Sequence, residues 1–81
     1  MTLQDVEESI VDAIKLTTGV LITDKDSNLL SEQYAFPLAD FLYIFHSLEE
    51  KYDCNIYEII NMITYEEFTI SAIAQKIIDL L

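Results

Sequence analysis

The sequence predicts an all-α fold, a four-helix bundle with a long loop between helices one and two and a short third helix. Apolar residues recur at three- and four-residue intervals in four segments, which is the period of an α-helix. Residues that favour helix ends stand at the borders of these segments, and only residues 20–36 show no regular period. With 81 residues, the chain is expected to form one domain, residues 1–81, around a single core.

The first predicted helix has signals at both ends. Thr2 can accept a hydrogen bond from the backbone of Asp5, whose carboxylate can accept one in return, in an Asp variant of the capping box. Gly19 is expected to end the helix in the left-handed conformation. The positions at helical spacing between these ends are Leu3, Val6, Ile10, Ala13, Ile14 and Thr17.

The second predicted helix follows a long connection that contains TDKDSN, a run of turn-forming residues. It begins at Pro37, because the fixed φ and missing N–H of proline suit the first helical position. One broad inward face is predicted from helical spacing, comprising Leu38, Phe41, Leu42, Ile44, Phe45, Leu48 and Tyr52. The opposite face, expected to meet solvent or a partner, carries Asp40, Tyr43, His46, Ser47, Glu50 and Lys51.

Two shorter helices complete the prediction. Asn55 followed by Glu58 is typical of a capped helix start, and the apolar positions of this third helix are Ile56, Ile59, Ile60 and Ile63. The fourth helix is expected to start near Thr69. Its predicted inward positions are Ile70, Ile73, Ala74, Ile77 and Leu80 or Leu81.

The charge of the chain restricts its partners. Four Lys and Arg residues against fifteen Asp and Glu residues give a formal net charge of -11 at pH 7. This negative field repels phosphate backbones and anionic lipid headgroups, so we expect no nucleic acid and no membrane among the partners. The complementary partner is the basic surface of another protein.

Cysteine and histidine content argues against redox chemistry and metal binding. Cys54 is the only cysteine, so no internal disulfide can form, and it is interpreted as a half-buried small residue. His46 is the only histidine, which leaves no two-histidine metal site, and it is expected to be exposed. The opening residues MTLQDVEESIVD have carboxylates where a signal peptide has basic residues, so a cytoplasmic location is expected.

The segment DKDSN matches part of the calcium-binding loop pattern. It has oxygen-bearing side chains at the first, third and fifth loop positions, Asp24, Asp26 and Asn28. However, Leu29 replaces the glycine needed at the sixth position, and Ala35 replaces the glutamate needed at the twelfth. The segment is therefore interpreted as a solvated loop, and no metal is expected.

Two segments resemble the acyl carrier protein family. SLEEKYDCNI, residues 47–56, is similar to the family's ALEEEFGIEI segment at the end of helix two, and FTISAIAQKI, residues 68–77, is similar to its ITTVGDAIDYI segment opening helix four. The resemblance covers nearly the whole chain and rests on helix order and apolar spacing. It implies the family's fold, an acidic second helix that docks onto basic partners, and no catalysis by the domain itself.

The prosthetic-group serine of that family has no counterpart in this sequence. In the family, an Asp-Ser-Leu triplet opens helix two, and its serine precedes the Leu of the Leu-Glu-Glu segment by ten residues. Ten residues before Leu48 is position 38, so Pro37 and Leu38 stand where Asp and Ser are expected. Leucine has no hydroxyl that could form a phosphodiester, so a 4′-phosphopantetheine arm cannot attach there and no cofactor is expected.

The chain is also similar, in length and in its LEEKY segment, to acyl-carrier-related proteins of bacterial peptide maturation systems that vary at this serine. This resemblance implies a non-catalytic protein that binds partner enzymes, in peptide maturation or natural-product biosynthesis. The expected partner-binding residues are Leu38, Asp40, Tyr43, Ser47 and Glu50. The alternative is a working acyl or peptidyl carrier with its prosthetic group on a displaced serine, Ser27 or Ser31.

Overall fold

Four α-helices form the regular structure of residues 2–81, the part of the chain that the computed structural model describes. They are α1 (Leu3–Thr18), α2 (Leu38–Tyr52), α3 (Ile56–Met62) and α4 (Ile70–Leu80), with a 3₁₀ turn at Tyr65–Glu67. Residues 2–81 contain no strand, only one isolated antiparallel bridge, so the predicted all-α class is confirmed. The Cα radius of gyration is 11.4 Å, close to the roughly 12 Å of a compact domain of this length. Among these residues, no helix combines the length and apolar composition needed to cross a bilayer.

Both ends of α1 are as predicted. Thr2 Oγ1 accepts the Asp5 N–H at 3.2 Å, and an Asp5 carboxylate oxygen accepts the Thr2 N–H at 3.1 Å, which completes the capping box. Gly19 has a φ of 79° and donates its N–H to the Lys15 carbonyl at 2.8 Å. No atom lies within 4 Å of the place a Cβ would occupy at Gly19, so the positive φ is what favours glycine there.

The starts of the other helices agree with the prediction to within one residue. Asn55 caps α3 and Thr69 caps α4, each accepting the N–H three residues later, at 3.3 and 3.1 Å. Pro37 is the N-cap of α2 and not its first residue, because its ψ of 144° is extended. Its carbonyl accepts the Asp40 N–H at 3.0 Å, so the helical hydrogen bonding begins one residue later than predicted.

All four helices share one core, which is rich in isoleucine. β-Branched side chains have few rotamers, so they pack without large losses of side-chain entropy. The largest fully buried side chains are Val6, Ile10, Ile14, Leu48, Ile56, Ile59, Ile70, Ile73 and Ile77. Leu3, Leu80 and Leu81 are exposed, contrary to the prediction, because they lie in terminal turns.

The inward face of α2 is narrower than predicted. The side chains it buries are Phe41, Ile44, Phe45, Leu48 and Tyr52, which span about 100° around the helix axis. Leu38 and Leu42 fall outside this arc and are 79% and 52% exposed. Their assignment to the inward face was wrong, because the neighbouring helices cover less of α2 than its apolar residues span.

The connection between α1 and α2, residues 20–36, is hydrogen-bonded to the start of α4. The Leu29 N–H donates to the Phe68 carbonyl at 2.9 Å, and the Asn28 side-chain amide donates to the Tyr65 carbonyl at 2.7 Å. The isolated bridge pairs Asn28 with Thr69. Leu29 itself is buried, so the connection contributes to the core that it crosses.

Glu7 is the one buried charged residue among residues 2–81, and it joins three parts of the structure. One carboxylate oxygen accepts from the Lys25 ammonium at 3.5 Å, and the other accepts from the Ser71 hydroxyl at 3.1 Å. The Ser71 N–H in turn donates to the Lys25 carbonyl at 3.1 Å. The buried carboxylate is therefore compensated, as burial of a charge requires, while α1, the connection and α4 are held together.

An aromatic cluster surrounds Phe41 near the start of α2. Its ring centroid lies 5.9 Å from that of Phe36, 5.9 Å from that of Phe45 and 5.6 Å from that of Phe68. The contacts with Phe36 and Phe68 are edge to face, an arrangement that aromatic quadrupoles favour. This cluster fixes where the connection ends and α2 begins.

Two neighbouring residues of α1 test the core. Replacing Ile14, which is completely buried, with Ala should lower the free energy of unfolding by about 2 to 5 kcal/mol. Leu16 is 88% exposed, so its replacement with Ala should change that free energy by less than about 0.5 kcal/mol. Urea denaturation followed by circular dichroism measures both values, and equal losses would contradict the burial pattern of α1.

A capping interaction at the 3₁₀ turn makes stability depend on pH. One carboxylate oxygen of Glu67 accepts the Thr64 N–H at 3.1 Å and the Thr64 hydroxyl at 3.2 Å. These bonds, the backbone one first, hold the pKa of Glu67 below its ordinary value of 4.5. A carboxyl group whose pKa is lower in the folded state stabilises that state above its unfolded pKa, and this contribution disappears as pH falls through the folded pKa.

The Glu67→Gln variant should therefore lose less stability than the wild type when the pH is lowered from 5 through 4.5 and below. Glu66→Gln is the matched control, because Glu66 is exposed and accepts no hydrogen bond among residues 2–81. Thermal melts at each pH give the comparison. A Glu67→Gln curve that stays parallel to the wild-type curve would show that this carboxylate has the same pKa folded and unfolded.

Candidate protein-binding surface on helix α2

The five residues predicted to bind a partner all belong to α2, but they do not form one stripe. Asp40, Tyr43, Ser47 and Glu50 follow each other at intervals of three or four residues, so they line one side of the helix. Leu38 is the first residue of α2 and lies about 160° around the axis from the middle of this stripe, near Leu42. The structure thus brings four of the five together and places Leu38 on the opposite flank of the outer face.

Large apolar side chains are exposed along this outer face. Besides Leu38 and Leu42, Tyr43 is 67% exposed. A single exposed leucine is common on protein surfaces. Leu38 and Leu42 lie together on one flank and form apolar surface that a partner could remove from water, while Tyr43 lies about 100° further around the helix.

The polar side chains on the same face are exposed or half-buried. His46 is exposed, as predicted, and its Nε2 lies 3.1 Å from a carboxylate oxygen of Glu50 one turn away. Such exposed contacts contribute little stability, so Glu50 can exchange this one for a contact with a partner. Asp40 in the first turn is half-buried, and Ser47 is exposed.

The two displaced serine candidates lie in the connection and not at a helix start. Ser27 Oγ accepts a hydrogen bond from the Tyr34 hydroxyl at 2.7 Å, and the residue is half-buried. Ser31 Oγ accepts the Gln33 N–H at 3.4 Å, and its carbonyl accepts the Tyr34 N–H at 3.1 Å. Both hydroxyl groups therefore take part in the fold of the connection.

An open groove between α1 and α2 was not predicted from the sequence. It consists of two adjoining clefts of about 440 and 180 Å³, lined by side chains from Asp5 to Thr17 on α1 and from Ser47 to Tyr52 on α2. We call it the α1/α2 groove. The only feature of the sequence that could have indicated this groove is Leu16, an apolar residue outside the predicted inward positions of α1.

Cys54 lies in the turn between α2 and α3 and is half-buried, as predicted. Burial raises the pKa of its thiol, and the nearby carboxylates of Glu49 and Asp53 raise it further. A thiol with a raised pKa forms little thiolate at neutral pH. The local electrostatics thus disfavour nucleophilic chemistry at this residue.

The DKDSN segment is folded for structural contacts. Asn28 donates its side-chain amide to the Tyr65 carbonyl and accepts the Leu30 N–H with its amide oxygen, at 2.7 and 2.8 Å. Asp24 accepts the Asp26 N–H at 3.0 Å. Within residues 2–81, no three His, Cys, Asp or Glu side chains are grouped so that they could hold a metal ion.

No protein-family model, curated protein or solved structure matches the chain.

The reactivity of Cys54 provides a test of the turn that follows α2. Its rate of alkylation by iodoacetamide should rise with pH to a midpoint above the ordinary thiol pKa of 9.0. Glu49→Gln should lower that midpoint, because it removes a negative charge that opposes the thiolate, whereas Glu50→Gln should not. Intact-mass measurements against time give the rates. A wild-type midpoint at or below the ordinary value would contradict the described burial.

Proposed function

We propose that this chain is a non-catalytic, acyl-carrier-related protein that binds partner enzymes of peptide maturation or natural-product biosynthesis without a phosphopantetheine arm. The observation that carries the proposal is Leu38, a side chain with no nucleophilic atom that is 79% exposed at the first residue of α2. In the acyl carrier family, the corresponding position presents a serine hydroxyl to the transferase. An exposed leucine at that position favours contact with a partner over attachment of a cofactor.

The proposed partner is the basic surface of an enzyme or maturation protein. The net charge of -11 attracts such a surface, and exposed Tyr43 is of the residue class enriched at protein interfaces. Charge complementarity of this kind mainly raises the association rate and selects the partner. A cytoplasmic location in a bacterium belongs to the proposal, because the resemblance is to bacterial systems and one cysteine allows no internal disulfide.

A carrier with a displaced serine is the competing function. Ser27 favours it in one respect, since it follows an aspartate, Asp26, as the prosthetic-group serine of the family does. Against it, the Ser27 hydroxyl is bonded to Tyr34. A helix opened by Ser27 would also contain Pro37 in its interior, at a cost of about 3 kcal/mol.

Incubation with coenzyme A and a broad-specificity phosphopantetheinyl transferase distinguishes the two functions. The mass of the wild-type protein should not change, because Leu38 presents only methyl groups at the start of α2. The Pro37→Asp, Leu38→Ser double variant should gain the mass of one arm. Since Leu38 is largely exposed, its replacement should change the free energy of unfolding by less than about 0.5 kcal/mol, and a thermal melt checks that the variant is folded.

The same double variant can be used to measure how much Tyr43 on α2 contributes to recognition by the transferase. Adding Tyr43→Ala to it should slow modification about tenfold if the tyrosine is a contact of typical interface strength. Tyr65→Ala is the matched control, because Tyr65 is similarly exposed but lies in the 3₁₀ turn. An arm added to the wild-type protein would overturn the proposal, and its location on Ser27 or Ser31 would establish the competing function.

A further inference from the structure

The α1/α2 groove runs between two antiparallel helices. The Tyr52 hydroxyl donates to the Ser9 hydroxyl at 2.6 Å near one end, while Leu16 and Thr17 line the same cleft as Ser47 toward the other. Residue numbers therefore rise along α1 as they fall along α2. The lining residues of α1 span about 18 Å at 1.5 Å per residue, or three helical turns.

The floor and rim of this groove differ in chemistry. Ala13 and Leu48 lie buried along the floor, and Leu16 stands at the rim with 88% of its surface exposed. Asp12 borders both clefts and has no hydrogen-bond or ion-pair partner among residues 2–81. An exposed leucine above an apolar floor thus lies next to an unpaired carboxylate.

The groove carries an excess of negative charge. Three carboxylates line its larger cleft, those of Asp5, Glu8 and Asp12, against the single ammonium of Lys51. Lys51 forms no ion pair within 4 Å among residues 2–81, and its Nζ lies 5.8 Å from the Tyr52 ring centroid. The lysine therefore leaves the carboxylates available to cations from outside.

This geometry selects one kind of occupant. A groove between two packed helices is complementary to the ridge of a third helix. A second copy of this chain would bring another charge of -11 and be repelled. A helix with a narrow apolar face flanked by Lys or Arg matches both the floor and the rim.

We infer that the α1/α2 groove is the docking site for an amphipathic basic helix of the partner protein. The inference rests on the proposed binding function and gives it a location. The apolar face of the partner helix packs against Leu16 and the neighbouring Thr17, and its basic residues pair with Asp12 and Glu8. Ser47 lines this groove, and Asp40 and Tyr43 lie on the same side of α2, whereas Leu38 lies on the far flank, outside the groove.

The probe for this site is a synthetic peptide of about 18 residues, long enough to form a helix, with leucines at helical spacing flanked by lysines. A scrambled peptide of the same composition keeps the charge but loses the apolar stripe. Fluorescence anisotropy should show tighter binding of the first peptide. Amide chemical-shift changes should concentrate at Ser9, Asp12, Leu16, Ser47 and Lys51.

Matched variants separate groove binding from general attraction to an acidic protein. Leu16→Asn should weaken binding of the amphipathic peptide about tenfold, whereas Met62→Asn, at an exposed apolar residue of α3, should leave it unchanged. Asp12→Asn should weaken binding and reduce its salt dependence. Asp26→Asn, which removes the same charge from an exposed residue of the connection, should have a smaller effect.

Several outcomes would overturn the inference: absence of binding, equal affinity for both peptides, or equal effects of Leu16→Asn and Met62→Asn. Shifts centred on Leu38 and Leu42 would exclude the groove while leaving the proposed function in place. Modification of the wild-type protein by the transferase would instead overturn the proposed function, whatever the peptide does. The two proposals can therefore fail separately.

Discussion

The single isoleucine-rich core is the constraint on which the other features of this protein depend. A seven-residue helix such as α3 is too short to be stable alone in water, so it exists because Ile56 and Ile59 are completely buried against its neighbours. The connection between α1 and α2 is subject to the same requirement, since Ile22 and Leu29 enter this core. The four helices and the connection between α1 and α2 thus all give apolar side chains to one interior, and the residues left outside it form the surface.

The outer faces of the helices are covered unevenly by the rest of the chain. The connection is hydrogen-bonded through Asn28 and Leu29 to the segment that precedes α4, and Glu7 links it to α1. It therefore covers the side of the bundle where these elements meet. No described segment crosses the outer faces of α1 and α2 where the groove lies. The acidic side chains of the groove and the exposed Leu16 at its rim therefore remain open to another molecule.

The side chains on this surface are compatible with the proposed binding function. The start of α2 exposes the methyl groups of Leu38, and the pKa of the Cys54 thiol is raised by burial and by two carboxylates. In contrast, the unpaired Asp12 and the exposed Leu16 and Tyr43 are groups whose interactions are incomplete in the isolated chain. A partner helix with basic and apolar residues would complete both kinds of interaction at once.

The sequence by itself determined the helices and their ends, because capping and apolar period are local properties. Thr2, Gly19 and Asn55 act through hydrogen bonds within four residues in their predicted roles, and Thr69, near which the fourth helix was expected to start, caps α4 in the same way. Only the tertiary structure decided which apolar residues stay exposed: Leu38 and Leu42 satisfy the helical pattern, but their burial depends on how far the neighbouring helices reach. The α1/α2 groove and the hydrogen bond between Glu7 and Ser71 likewise could not be predicted from the sequence. They bring together residues up to 64 positions apart, and only packing of the helices creates that proximity.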